Sequence, residues 1–131
     1  MKLWKQLYLI VWLAFLQIII ILLPVYGDSL VDLHVIIGLA ILGLAHYDNA
    51  TLKRTPAPNR LKRIAKATAV LATFQIILGL ILYANVRLNV NIPLVSVITF
   101  LHLMIALAII TQAASVATAY DMWEDHEFVT S

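Results

Sequence analysis

Two nine-residue runs in this chain carry an imidazole at the same place in nearly the same apolar string. LHVIIGLAI covers Leu33 to Ile41 and LHLMIALAI covers Leu101 to Ile109, so that seven of nine positions are identical or exchange Gly for Ala. An ionisable side chain inside an apolar helix is costly and normally faces a bundle interior with a partner. Neutral imidazole is also a good iron ligand, and helix bundles hold flat cofactors between side chains on facing helices. His34 and His102, at similar depth, are therefore expected to take the two axial positions of one haem. Gly38 and Ala40, with Ala106 and Ala108, would leave space for the macrocycle. For either histidine taken alone, the competing reading is an interhelical hydrogen bond to Gln17, Gln75 or a backbone carbonyl.

The remaining polar residues have two readings each. Gln17 and Gln75 are either helix-to-helix glue or neighbours of the cofactor, with glue preferred. Asp32 reads as an interfacial helix cap or an acid at the cofactor edge. Arg87 reads as a partner for a haem propionate or an ordinary loop cation. His46 lies twelve residues beyond His34, about 18 Å along a helix and roughly 120° around it. With no partner on the fourth helix at that depth, it is expected at the interface rather than on a second haem. His126, in the acidic tail from Asp121 to Glu127, is expected to be solvated.

The elements that position these residues follow from composition. The chain has 131 residues, is 63% hydrophobic and 12% charged, and has a mean hydropathy of +0.94, outside the range of ordinary soluble domains. Stretches free of Lys, Arg, Asp and Glu run from Gln6 to Gly27, Leu33 to Tyr47, Ala67 to Val86 and Leu88 to Tyr120. About 20 apolar residues cross a bilayer, so these predict an all-α integral membrane four-helix bundle. The expected helices cover about 4–23, 30–46, 61–85 and 95–120, within one domain of residues 1–131. The first run has no small-x-small cleavage site and is expected to stay as a helix rather than leave as a signal peptide. The polar segment 48–59, with Pro56 and Pro58, is expected to be a loop. Without cysteine, disulfides, thiolate metal sites and thioether-linked haem are excluded.

The cations set the topology. Lys2 and Lys5 precede the first helix, and Lys53, Arg54, Arg60, Lys62, Arg63 and Lys66 lie between the second and third. The positive-inside rule then predicts a multi-pass plasma-membrane protein with both termini and the 47–66 loop in the cytoplasm. This basic patch is expected to rest on anionic membrane lipid and not to bind nucleic acid. The first helix lacks the embedded acid that a proton-coupled drug transporter of four helices would need.

The paired runs also imply an internal repeat. Phe15-Leu16-Gln17-Ile18-Ile19 aligns with Thr73-Phe74-Gln75-Ile76-Ile77, so that each half offers a Gln on its first helix and a His on its second. Helices one and three run one way and two and four the other, which makes this a parallel two-helix repeat about an axis along the membrane normal. The second half has ten additional residues between its Gln and His. They fall around Asn85 to Pro93 and are expected to cover the outer mouth of the bundle.

The sequence Gln75-Ile76-Ile77-Leu78-Gly79, a polar outer segment with Leu88-Asn89 and Pro93, and then Leu101-His102-Leu103 with Ala106, resembles the third and fourth helices of the haem A synthase family. The resemblance covers helices two to four. It implies two four-helix halves in most members, half-size archaeal forms with four helices, and a haem held in each half between histidines on its second and fourth helices, here His34 and His102. It further implies oxidation of the haem O C8 methyl to the formyl of haem A. The family's glutamate three residues before the first histidine and its arginine after it are replaced here by Val31 and Val35, and its outer cysteine pair is absent. Haem type, whether b, O or A, stays open. A homodimer would recreate the eight-helix, two-haem arrangement, and a respiratory oxidase or haem-biosynthesis protein is the expected partner. The alternatives are a b-type cytochrome subunit that passes electrons in a respiratory chain, and a haem-free structural subunit of such a complex.

Overall fold

A computed structural model describes the backbone of residues 1–25 and 27–130 and the side chains of 1–25 and 27–126. Tyr26 and the Glu127 side chain of the acidic tail lie outside the described residues. Four helices follow one another: α1 (Leu3–Leu22), α2 (Asp28–Lys53), α3 (Asn59–Arg87) and α4 (Val95–Thr130). Each is long and apolar enough to cross a membrane, α4 over Val95–His126. Large apolar side chains such as Ile36, Phe74 and Phe100 point out of the bundle, as lipid contact requires and water contact would penalise.

The helices form a ring, α1 on α2, α2 on α3, α3 on α4 and α4 on α1. This leaves α1 diagonal to α3, and α2 diagonal to α4. An interhelical hydrogen bond crosses every seam. Gln17 Nε2 donates to the His34 carbonyl at 2.7 Å between α1 and α2. His46 Nε2 meets Thr73 Oγ1 at 2.9 Å between α2 and α3, Thr68 donates to Gln112 Oε1 at 3.2 Å between α3 and α4, and Tyr8 meets Thr118 at 3.0 Å between α4 and α1. In a membrane such bonds supply part of the association energy that hydrophobic burial supplies in water.

Two helices are longer than the sequence suggests. α2 continues through Tyr47 to Lys53, where a loop is expected from the polar letters. Ile41, Ala45, Asp48, Asn49 and Leu52 are all buried, and their spacing keeps them on one helical face. Packing continues the helix where composition argues for an end. The chain turns only at 54–58, where the Thr55 hydroxyl donates to the Leu52 carbonyl at 2.8 Å and accepts from the Ala57 N–H at 3.3 Å. α4 likewise runs on past residue 120. Its 36 residues span about 54 Å, against a hydrocarbon core of roughly 30 Å.

At the other end, α3 stops where Asn89 turns into the left-handed region with φ 53°. Asparagine is one of the few residues besides glycine that visits this region routinely. Asn85 Nδ2 donates to the Val90 carbonyl at 3.1 Å, which holds the turn.

Candidate functional site: two imidazoles across a hollow

Most of the buried core lies in one half of the bundle; Ile20 and Val31 are buried beyond it. Near the termini, Leu7, Leu52, Leu61, Ala65, Val116 and Ala117 pack together. Above them lie Ile10, Ala14, Ile41, Ala45, Ala69, Ala72, Ile109 and Ala113. Seven alanines across these two layers let the helices approach closely. Beyond Ala72 no residue of α3 is buried, and the four helices enclose a cavity of about 420 Å³. Its walls are mostly apolar, with Ile18, Ile21, Ile76, Leu80, Leu82 and Leu103 among them, and its size is that of a cofactor site.

His34 and His102 reach into this cavity from the diagonal pair α2 and α4. Their ring centroids are 6.1 Å apart and their planes are inclined at 56°. Nδ1 of each is buried without a well-aligned hydrogen-bond partner. With metal–imidazole bonds of about 2 Å, and each centroid roughly 1.1 Å behind its nitrogen, two coaxial imidazoles on one metal ion stand about 6.2 Å apart. The spacing therefore fits a single metal ion between the rings, and the cavity around it gives a macrocycle room. A metal-ligating histidine usually donates its other N–H to a carbonyl or carboxylate. The main chain of Gln17 lies beside the His34 ring, and that of Gln75 beside the His102 ring.

The glycines at this level have defined jobs. A Cβ on Gly79 would come to 3.1 Å from His102 Cε1, so Gly79 makes the space in which that ring stands. A Cβ on Gly38 would come to 3.2 Å from Gln17 Nε2 and 3.3 Å from Ile76 Cδ1. Gly38 thus admits the Gln17 amide to the His34 carbonyl, and it lines the cavity together with Ala106. Gln17 is glue, as expected, through the backbone of the histidine's own helix. Its Oε1 and that of Gln75 are buried without partners, and both residues line the cavity.

At the mouth, Arg87 does not line the cavity. Its Nη1 pairs with Asp28 Oδ2 at 2.9 Å, and its Nε and Nη2 donate to the two oxygens of Asp32 at 3.3 and 3.4 Å. Tyr83 Oη, on the cavity wall, donates to the same Asp32 at 3.4 Å. Asp32 is accordingly the anchor of an ion pair between α2 and α3, a role absent from both sequence readings of it, and α2 has no side-chain cap. The signal was present: Arg87 is the lone cation near that end, and two acids a helical turn apart oppose it. His46 is held by Thr73, whose own hydroxyl donates to Ala69 at 3.0 Å. Its Nε2 must then be the donor.

Among the described residues, no group of three or more His, Cys, Asp or Glu side chains could hold a metal ion. Axial ligation of a macrocycle needs only the two imidazoles. No protein family, curated protein or solved structure matches the chain.

Proposed function

We propose that this chain is an integral membrane haem protein with His34 and His102 as the axial ligands. One observation carries the reading: two imidazoles from diagonal helices stand 6.1 Å apart in a mostly apolar cavity of about 420 Å³. A protein interior is normally packed to crystal density, so a hollow of this size at the level of two buried histidines reads as a binding site. An occupant is the economical explanation, and one with a metal at its centre also accounts for the imidazoles.

Bound there, haem supplies one-electron redox chemistry. The chain does the rest. His34 and His102 would hold it from the diagonal helices α2 and α4, Gly79 and Gly38 keep space for one ring and for the Gln17 amide, and isoleucine and leucine side chains supply a mostly apolar lining. The Gln and His carried by each helix pair support reading the bundle as two copies of a two-helix unit. The basic residues about the α2–α3 loop support placing the termini in the cytoplasm, with the cavity in the outer half of the membrane.

Two uses of the site are carried forward. Resemblance to haem A synthase favours oxidation of a haem O methyl group, by a half-size form that pairs into a dimer. Two histidines as the haem ligands would favour electron transfer in a b-type cytochrome subunit. Purifying the protein in detergent, extracting the haem and measuring its type and amount per chain tests both. Haem O or A supports the synthase, haem b alone supports the cytochrome, and protein without a Soret band removes both and leaves the structural subunit.

A further inference from the structure

Asp48 lies fourteen residues beyond His34 on α2, about 21 Å along the helix and in the packed half. It is 1% exposed, and neither carboxyl oxygen has a hydrogen-bond partner. Its side chain lines a second cavity of about 10 Å³, walled by Leu7 and Ile10 of α1, Ala65 and Thr68 of α3, and Ala113 and Val116 of α4. All of these are uncharged, and among the described residues no ion pair reaches Asp48. A bare carboxylate here would have lost its hydration with no cation to replace it.

We propose that Asp48 is a proton-binding site: a neutral carboxylic acid that shares the small cavity with one water molecule held by the Thr68 hydroxyl. The volume suits a single water. Thr68 directs its hydrogen toward the Ile64 carbonyl at 2.9 Å and Gln112 Oε1 at 3.2 Å, which leaves oxygen lone pairs to accept from that water. The water in turn accepts from the Asp48 acid. A metal cation is disfavoured, because hard cations take about six oxygen ligands and only Asp48 and Thr68 offer side-chain oxygens on this wall. When the proton leaves, it passes to the water as hydronium and the carboxylate remains; rebinding is the reverse. The site does not depend on haem at the other end.

Infrared difference spectroscopy of the full chain in lipid vesicles at neutral pH tests this. The expected result is a protonated-acid carbonyl band that shifts on H/D exchange, is lost in Asp48→Asn, and persists in Asp28→Asn and Asp32→Asn. Thr68→Val should move the band without removing it, and this comparison, with aspartate labelled at its carboxyl carbon, carries the test alone if Asp48→Asn fails to fold. Absence of the band, its survival in Asp48→Asn, or its insensitivity to Thr68→Val would overturn the assignment. So would its conversion to a carboxylate signal on adding sodium or potassium, which would make the cavity an ion site.

Discussion

The two halves of this bundle are built by opposite rules. Near the termini, alanines such as Ala65, Ala69, Ala113 and Ala117 lie 5% exposed or less, and the residual space is about 10 Å³. Toward the other end the same helices diverge around about 420 Å³. A protein interior is normally packed to crystal density, so the close-packed half states what this chain does when only stability is at stake. The hollow half departs from that rule around the two histidines, and a departure that takes in the chemistry-bearing residues is the mark of a site.

The largest effect expected is on the ligands. His34→Ala or His102→Ala should lower bound haem to below about a tenth of wild type, since changing even a ligand's hydrogen-bond partner can cost 10–100-fold in affinity. The halves should then respond oppositely to added volume. Ala69→Leu or Ala113→Leu overfills the packed half and should destabilise the fold by about 1–3 kcal/mol, with the haem spectrum unchanged. Ala106→Leu should instead raise the melting temperature of haem-free protein, by about 0.5–2 kcal/mol of cavity filling, while reducing haem uptake. Equal responses at the two levels would erase the distinction between them.

A smaller change is expected from Gly79→Ala. Its new Cβ would stand 3.1 Å from His102 Cε1, so the ring must yield by a few tenths of an ångström, weakening haem binding by about tenfold and shifting the Soret maximum. Smallest is Gln17→Leu, which deletes the 2.7 Å bond to the His34 carbonyl and should cost about 1 kcal/mol in thermal unfolding.

Four apolar helices were legible from hydropathy alone, because bilayer thickness sets segment length whatever the side chains inside. The pairing of His34 with His102 was legible because LHVIIGLAI has an echo. The end of α2 was not. Asp48, Asn49 and Thr51 read as loop letters, yet Asp48 and Asn49 share a buried stripe with Ile41, Ala45 and Leu52, and tertiary packing overrides composition there. Nor could spacing reveal that Gly79, on α3, clears space for a ring on α4. This is a contact between helices, and one helix's periodicity shows only which face is turned inward.

The central claim is that His34 and His102 together hold one haem. Its most direct test is the reduced-minus-oxidised absorption spectrum of the purified wild-type protein beside His34→Ala, His102→Ala and His46→Ala. The account predicts a haem signal that is lost or strongly altered in the first two variants and unchanged in the third, whose imidazole is occupied with Thr73. A signal that survives both His34→Ala and His102→Ala, or that disappears with His46→Ala instead, would contradict it.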